Sequence, residues 1–160
     1  MGNNMTPFVH THILPAALSL LPERMDSPEA RVLLLAIGLQ ESRFKNRTQG
    51  GGPARGLWQF EANGGVRGVL EHHASAAHAI TVCERLLYPP SVAVVYNAIA
   101  HNDVLAACFA RLLLWTAPAP LPALGDAGGA WRYYLAQWRP GKPYPGSWES
   151  LYRQAWEHIQ

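Results

Sequence analysis

Glu41 closes the most apolar stretch of the chain, "LLLAIGLQES", and no further acid occurs until Glu61. A carboxyl pressed against apolar groups holds its proton to higher pH, because burial penalises the charged form. Cleavage of a glycosidic bond needs such a group, a protonated carboxyl beside the leaving oxygen. Leu35, Ile37, Leu39 and Phe44 are the neighbours able to supply that environment. The plainer reading is a solvated carboxylate at a helix end, where the negative end of the helix dipole disfavours it by about 0.3–1 kcal/mol. After Glu41 come Ser42, a glycine-rich basic loop, and the turn Gly56-Leu57-Trp58-Gln59. Ser42 and Gln59 are candidates for hydrogen bonds to a sugar amide or to the acid itself, or for capping and turn bonds to the backbone. Trp58, Trp138 and Tyr144 are candidates for stacking on sugar rings, or for packing in the core and loops.

Glycosidases of the two-carboxylate kind place their acids about 5–9.5 Å apart. Glu61 is the acid placed soon enough after Glu41 to be a partner, and a surface charge is the other reading of it. His72, His73, His78, His101 and Asp103 raise the question of a metal peptidase. No HExxH occurs and the spacing closes no zinc site, so no metal and no cofactor are expected. Cys83 and Cys108 lie in apolar helical surroundings and read as buried thiols. Arg43, Lys45, Arg47, Arg55 and Arg67 bias the region after Glu41 positively, as a rim for an anionic polymer or as a solvated face. A net charge of +2 is too small to argue for nucleic acid.

These residues need a helical scaffold. Ser27-Pro28-Glu29 is an N-cap, a proline at N1 and an acid at the positive dipole end, so a helix runs from there to about Ser42. It is apolar on nearly every side and belongs in the middle of a core. A first helix is expected over His12 to Leu21, and others near Val66–His72, Ser75–Leu87, Ser91–Ala100, Asn102–Trp115, Ala130–Trp138 and Ser147–His158. The whole reads as one all-α domain over residues 1–160, with room for a small β-hairpin near 50–65. Its apolar run Val32–Leu39 is too short to span a bilayer. The first residues lack the pattern of a signal peptide, while Gly2 and Thr6 fit the short acylation pattern M-G-x-x-x-[ST].

Glu41-Ser42 at the end of a buried helix, Phe44, and Gly56-Leu57-Trp58-Gln59 with Trp58 in the Met position together resemble the core of the lytic transglycosylases of the lysozyme-like superfamily. "GGPARG" is similar to the loop that precedes the turn there, and "WRPGKP" at 138–143 looks like phage or prophage relatives. The matching part covers about thirty residues, a fifth of the chain. The resemblance implies a lysozyme-like fold and cleavage of the MurNAc–GlcNAc bond of bacterial peptidoglycan. It also implies that Glu41 acts first as acid and then as base, with Ser42 and Gln59 in the cleft. The muramic acid 6-hydroxyl then attacks C1 and closes a 1,6-anhydro ring, so one carboxyl suffices. The family's Ala-Tyr-Asn-Ala-Gly motif has no full counterpart. Tyr96-Asn97-Ala98 lacks the glycine and precedes the long helix, whereas Tyr133 and Tyr134 come in the fitting order, and Tyr134 is favoured for the hydroxyl beside Glu41. A monomer is expected, acting at the wall after release from a host cytoplasm or carriage in a virion. Two other readings stay open: a hydrolytic lysozyme using Glu41 with Glu61, and a non-catalytic glycan-binding or virion-structural module.

Overall fold

The computed structural model describes residues 5–160, so Gly2 of the acylation pattern lies outside the described residues. The chain enters as α1 (Thr6–Phe8), which passes through a π-helical turn (Val9–Ile13) directly into α2 (Leu14–Leu18). Helix therefore starts well before the expected His12 and stops short of Leu21. The reason is visible at Pro15, which has no N–H to give. Leu14 N–H already reaches back to Val9 O in the wider π register, so the proline falls where the α-helical ladder is interrupted anyway.

After a 3-10 turn (Glu23–Met25), α3 (Pro28–Ser42) begins as its start signal demands. Ser27 Oγ accepts the Ala30 N–H at 3.1 Å, and Pro28 stands at N1. Ala30, Val32–Leu39 and Ser42 are buried, so α3 is enclosed on almost every side. A second π turn (Ala62–Val66) leads into α4 (Arg67–Glu71), followed by α5 (Ala76–Arg85), α6 (Val92–Ile99) and α7 (Asp103–Trp115). Asn102 caps α7 by accepting Leu105 N–H at 3.0 Å. The last two helices, α8 (Ala127–Trp138) and α9 (Pro145–Ile159), start earlier than expected. Asp126 accepts Gly129 N–H at 2.8 Å, and that cap carries Gly128 and Gly129 into α8. Pro145 enters α9 at its first turn.

The chain is mostly helical and all-α, with no strand among the described residues. The hairpin expected at 50–65 is reduced to isolated bridges, Thr48–Arg55 and Arg55–Phe60. Arg55 and Phe60 exchange both backbone bonds at 2.8 Å, but Gly56 and Gln59 between them have left-handed φ of 80° and 55° and make a tight turn instead of strands. The core lies between α3, α7 and α9, with α2 laid against α7. Cys83 and Cys108 are free and fully buried in it, and burial pushes the Cys108 thiol up to about 12. No single helix among the described residues is long and apolar enough to cross a membrane.

The end of α3 is shaped by a sharp reversal. Arg43 and Phe44 both have left-handed φ, 57° and 52°, which folds Phe44 back onto its own helix. An ideal Cβ on Gly38 would lie 2.1 Å from Phe44 Cε1, so the ring occupies the notch that glycine leaves. Gly38→Ala is expected to lower stability by about 1–3 kcal/mol through overpacking, read from the urea midpoint, with Phe44→Leu restoring part of the loss. An unchanged midpoint in the single variant would show that the ring shifts at no cost.

Candidate active site

Glu41 stands in the last turn of α3, half-buried, one residue before the helix ends. Ser42 holds that end in place. Its hydroxyl donates to Leu57 O at 2.6 Å, lies 3.2 Å from Gly38 O, and accepts Phe44 N–H at 3.1 Å. Being buried and committed to the backbone, Ser42 does not face a cleft, which corrects its expected role in touching substrate. It joins the α3 terminus to the Gly56–Gln59 turn and so acts on the position of Glu41 alone. Gln49 adds a further tie, donating through Nε2 to Glu41 O at 2.9 Å.

Trp58 is a second correction. It is 0% exposed, its Nε1–H donates to Leu34 O at 2.8 Å, and its ring meets Phe44 edge-on at 5.6 Å. It is a core residue that locks the turn against α3, with no face left for a sugar. Gly56 lets the same turn lie against the end of α6, since a Cβ there would come within 2.9 Å of the Ile99 carbonyl oxygen. Gln59 does line the main cleft. Its amide donates to Gly56 O at 2.9 Å and Arg47 O at 3.3 Å, two acceptors that fix which end is NH2. The carbonyl Oε1 is the part left to offer.

Of the three candidate tyrosines, Tyr134 is the one that meets the acid. Its hydroxyl donates to Glu41 Oε2 at 2.5 Å. Tyr96 donates to Pro53 O and Tyr133 to Ala119 O, both elsewhere. Tyr134 is buried and its ring stacks on Trp148 at 5.3 Å with planes 7° apart, while Trp131 and Trp138 flank it on α8. Trp148 and Trp131 were missed from the sequence. The spacing Trp131, Tyr134, Trp138 at three and four residues marks one helical face, but nothing local ties Trp148 to it.

Burial raises the Glu41 carboxyl above its ordinary range, the Tyr134 hydrogen bond acts in the opposite direction, and the charge of Glu61 adds to the rise. An oxygen that already accepts a hydrogen bond is the poorer base, so the proton belongs on Oε1. Tyr134 is itself pushed up, by burial first and then by the adjacent Glu41 charge, and remains a donor at any ordinary pH. The α3 terminus thus holds a carboxyl that keeps its proton beyond the usual range, beside a neutral donor that fixes its orientation.

A cleft of about 910 Å3 is lined by Gln59, Glu61, Asn63, His72, Tyr96, Trp138 and Arg139. Glu41 is not among its walls. It adjoins them through Trp138, whose ring is 6.2 Å from that of Tyr134, and through Glu61, whose charge reaches the carboxyl. Glu61 is exposed, just before the π turn. Trp138 is partly buried, with its Nε1–H on Trp58 O at 3.0 Å. Tyr144 is largely exposed, and its carbonyl accepts from Gln40 Nε2 at 2.9 Å, which pins the loop before α9 next to the acid. The basic rim is thinner than the sequence implies. Arg47 pairs with Asp103 at 2.6 Å, Arg67 pairs with Glu71, and Arg55 turns to the Gly52 and Ala54 carbonyls and the Tyr96 ring. Arg43 and Lys45 remain exposed. No group of three or more His, Cys, Asp or Glu able to hold a metal occurs among the described residues.

No family model, curated protein or solved structure matches the chain.

Proposed function

We propose that the chain cleaves the β-1,4 bond between MurNAc and GlcNAc in bacterial peptidoglycan, as a lytic transglycosylase with Glu41 as acid and then base. The observation that carries this reading is the carboxyl of Glu41, half-buried at the end of a rigid helix, raised in pKa and gripped at Oε2 by Tyr134. In the first step Oε1–H protonates the glycosidic oxygen, and the positive centre at C1 is shared with the substrate's own N-acetyl group. In the second, the carboxylate takes the proton from the muramic acid 6-hydroxyl as that oxygen bonds to C1. The proton returns to Glu41 and the anhydro ring is closed. Tyr134 donates to the carboxylate during the interval when it is charged, which is when that bond is strongest.

A second reading is hydrolysis, favoured by one observation: Glu61 is close enough to raise the pKa of Glu41 and stands on the cleft wall. In that case it would position or deprotonate a water. The third, a non-catalytic glycan-binding or virion-structural module, has no residue of its own to support it. In either catalytic reading the substrate lies outside the cytoplasm, and we propose release from a host cell or carriage in a virion as the route, with a monomer as the working form.

Mass spectrometry of fragments released from purified sacculi separates these readings. Ends in 1,6-anhydro-muramic acid are expected, whereas reducing ends, one water heavier, would mean hydrolysis. No release at all would leave the binding module. Glu61→Gln gives a second check. Removing that charge lowers the Glu41 pKa, so the alkaline limb of the pH–rate profile should move to lower pH while the maximal turnover falls less than about tenfold, well short of the loss expected from removing a general acid. A loss as deep as that from altering Glu41 would establish Glu61 as a partner acid.

A further inference from the structure

Arg111 lies on α7 and is 3% exposed. A guanidinium so enclosed normally faces a carboxylate, because an unpaired buried charge is strongly disfavoured. Among the described residues its one hydrogen bond is Nε to Met25 O at 2.7 Å, and Nη1 is buried with no partner. The acid whose charge it feels, Asp26, is taken by Arg31 through a two-pronged pair at 2.9 Å and 2.9 Å. A second cation adds to the imbalance, since Arg24 and Arg111 both lie over the Trp115 ring, at 5.4 and 5.5 Å from its centre. The cost registers on Arg111 itself, which burial pushes down to about 10.

The same residue lines a cavity of about 240 Å3 between α7, α8 and the proline-rich segment that follows α7. No acid lines that cavity. Tyr133 on its wall has its hydroxyl committed to Ala119 O and Leu114 O, and the rest of the lining is apolar: Leu114, Pro118, Pro120 and Leu121 among others. We propose that this cavity is a binding site for a small organic carboxylate, held by the Arg111 guanidinium on its wall with a short apolar tail against the prolines. A guanidinium with an unused N–H answers a single planar carboxylate in charge and in hydrogen bonding. A phosphate would bring more charge and more acceptors than this lining answers. The volume suits a group of a few heavy atoms, such as a free short-chain acid or the terminal carboxylate of a peptide. The site is independent of the glycan chemistry assigned to Glu41.

The test is thermal denaturation of the full chain titrated with sodium propionate against sodium chloride at matched ionic strength. A saturable rise in Tm with propionate and none with chloride is expected, weakened at least about tenfold in Arg111→Met, as befits one lost charged hydrogen-bonded pair. Ala119→Trp, which fills the cavity from its exposed side and leaves Arg111 in place, should abolish the rise as well and decides the matter if Arg111→Met fails to fold. Acetyl-D-alanine binding more tightly than propionate would identify the source as a peptide terminus, and the reverse order a free acid. No saturable shift, an equal shift with chloride, or a shift kept by either variant that folds overturns the proposal.

Discussion

Glu41→Gln is expected to abolish glycan cleavage by about a hundredfold or more, the usual contribution of a general acid, while making the folded chain no less stable at pH 7. The amide keeps the shape of the side chain and can still accept the Tyr134 hydroxyl, but carries no acidic proton. Stability moves the other way for a reason fixed by the raised pKa. Between the ordinary carboxyl value and the raised one, the folded chain binds more protons than the unfolded chain at Glu41. The contribution of that group is therefore fully present at low pH and is lost as pH rises through this window. The amide suffers no such loss, so its Tm should equal or exceed that of the wild type near neutrality, and the difference should narrow below the ordinary carboxyl range. Turnover above about a tenth of wild type would remove Glu41 from the reaction. A variant less stable at pH 7 than at pH 4, relative to wild type, would contradict the burial that motivates the assignment.

Tyr134→Phe should have the second largest effect. The ring keeps its stack on Trp148, and what is lost is one hydrogen bond to a carboxylate, worth about 1.5–3 kcal/mol. That bond lowers the Glu41 pKa, so its removal raises it, and the alkaline limb of the pH–rate profile should move to higher pH. The direction is opposite to that expected for Glu61→Gln, which makes the pair a stringent check on one carboxyl. Turnover at the optimum should fall about tenfold or more, because the carboxylate formed after proton transfer loses its donor. An unmoved profile would mean that the hydroxyl does not touch the acid in the working protein.

The boundaries of α3 were readable because its signals are local: a serine cap, a proline at N1, and an apolar run that ends at Glu41-Ser42. The beginning of α8 was not, since two glycines read as loop until Asp126 is seen to cap them. The same division runs through the site. Glu41 stood out from its sequence neighbours, and Tyr134 from its order in the chain. Whether Ser42 and Trp58 faced substrate or core depended on contacts made 15 and 24 residues away, to Leu57 and Leu34, and burial decided both for the core. Trp148, stacked on Tyr134 from another helix, had no local mark at all. The basic rim is thinner than expected for a related reason: Asp103, which neutralises Arg47, lies 56 residues further on.

The two sides of the region around Glu41 differ in compliance. The acid is carried by α3, whose residues from Val32 to Leu39 are buried without interruption. Glu61 instead leads into two five-residue segments, Ala62–Val66 and Arg67–Glu71, with the backbone kinked at Gly64 and with Val66 and Val69 as their buried anchors. Freeing the end of α3 means breaking the core, at a cost close to that of unfolding the domain, whereas the facing wall can open by local fluctuation. Ligands of different bulk would be met by an unyielding carboxyl on one side and a pliable wall on the other.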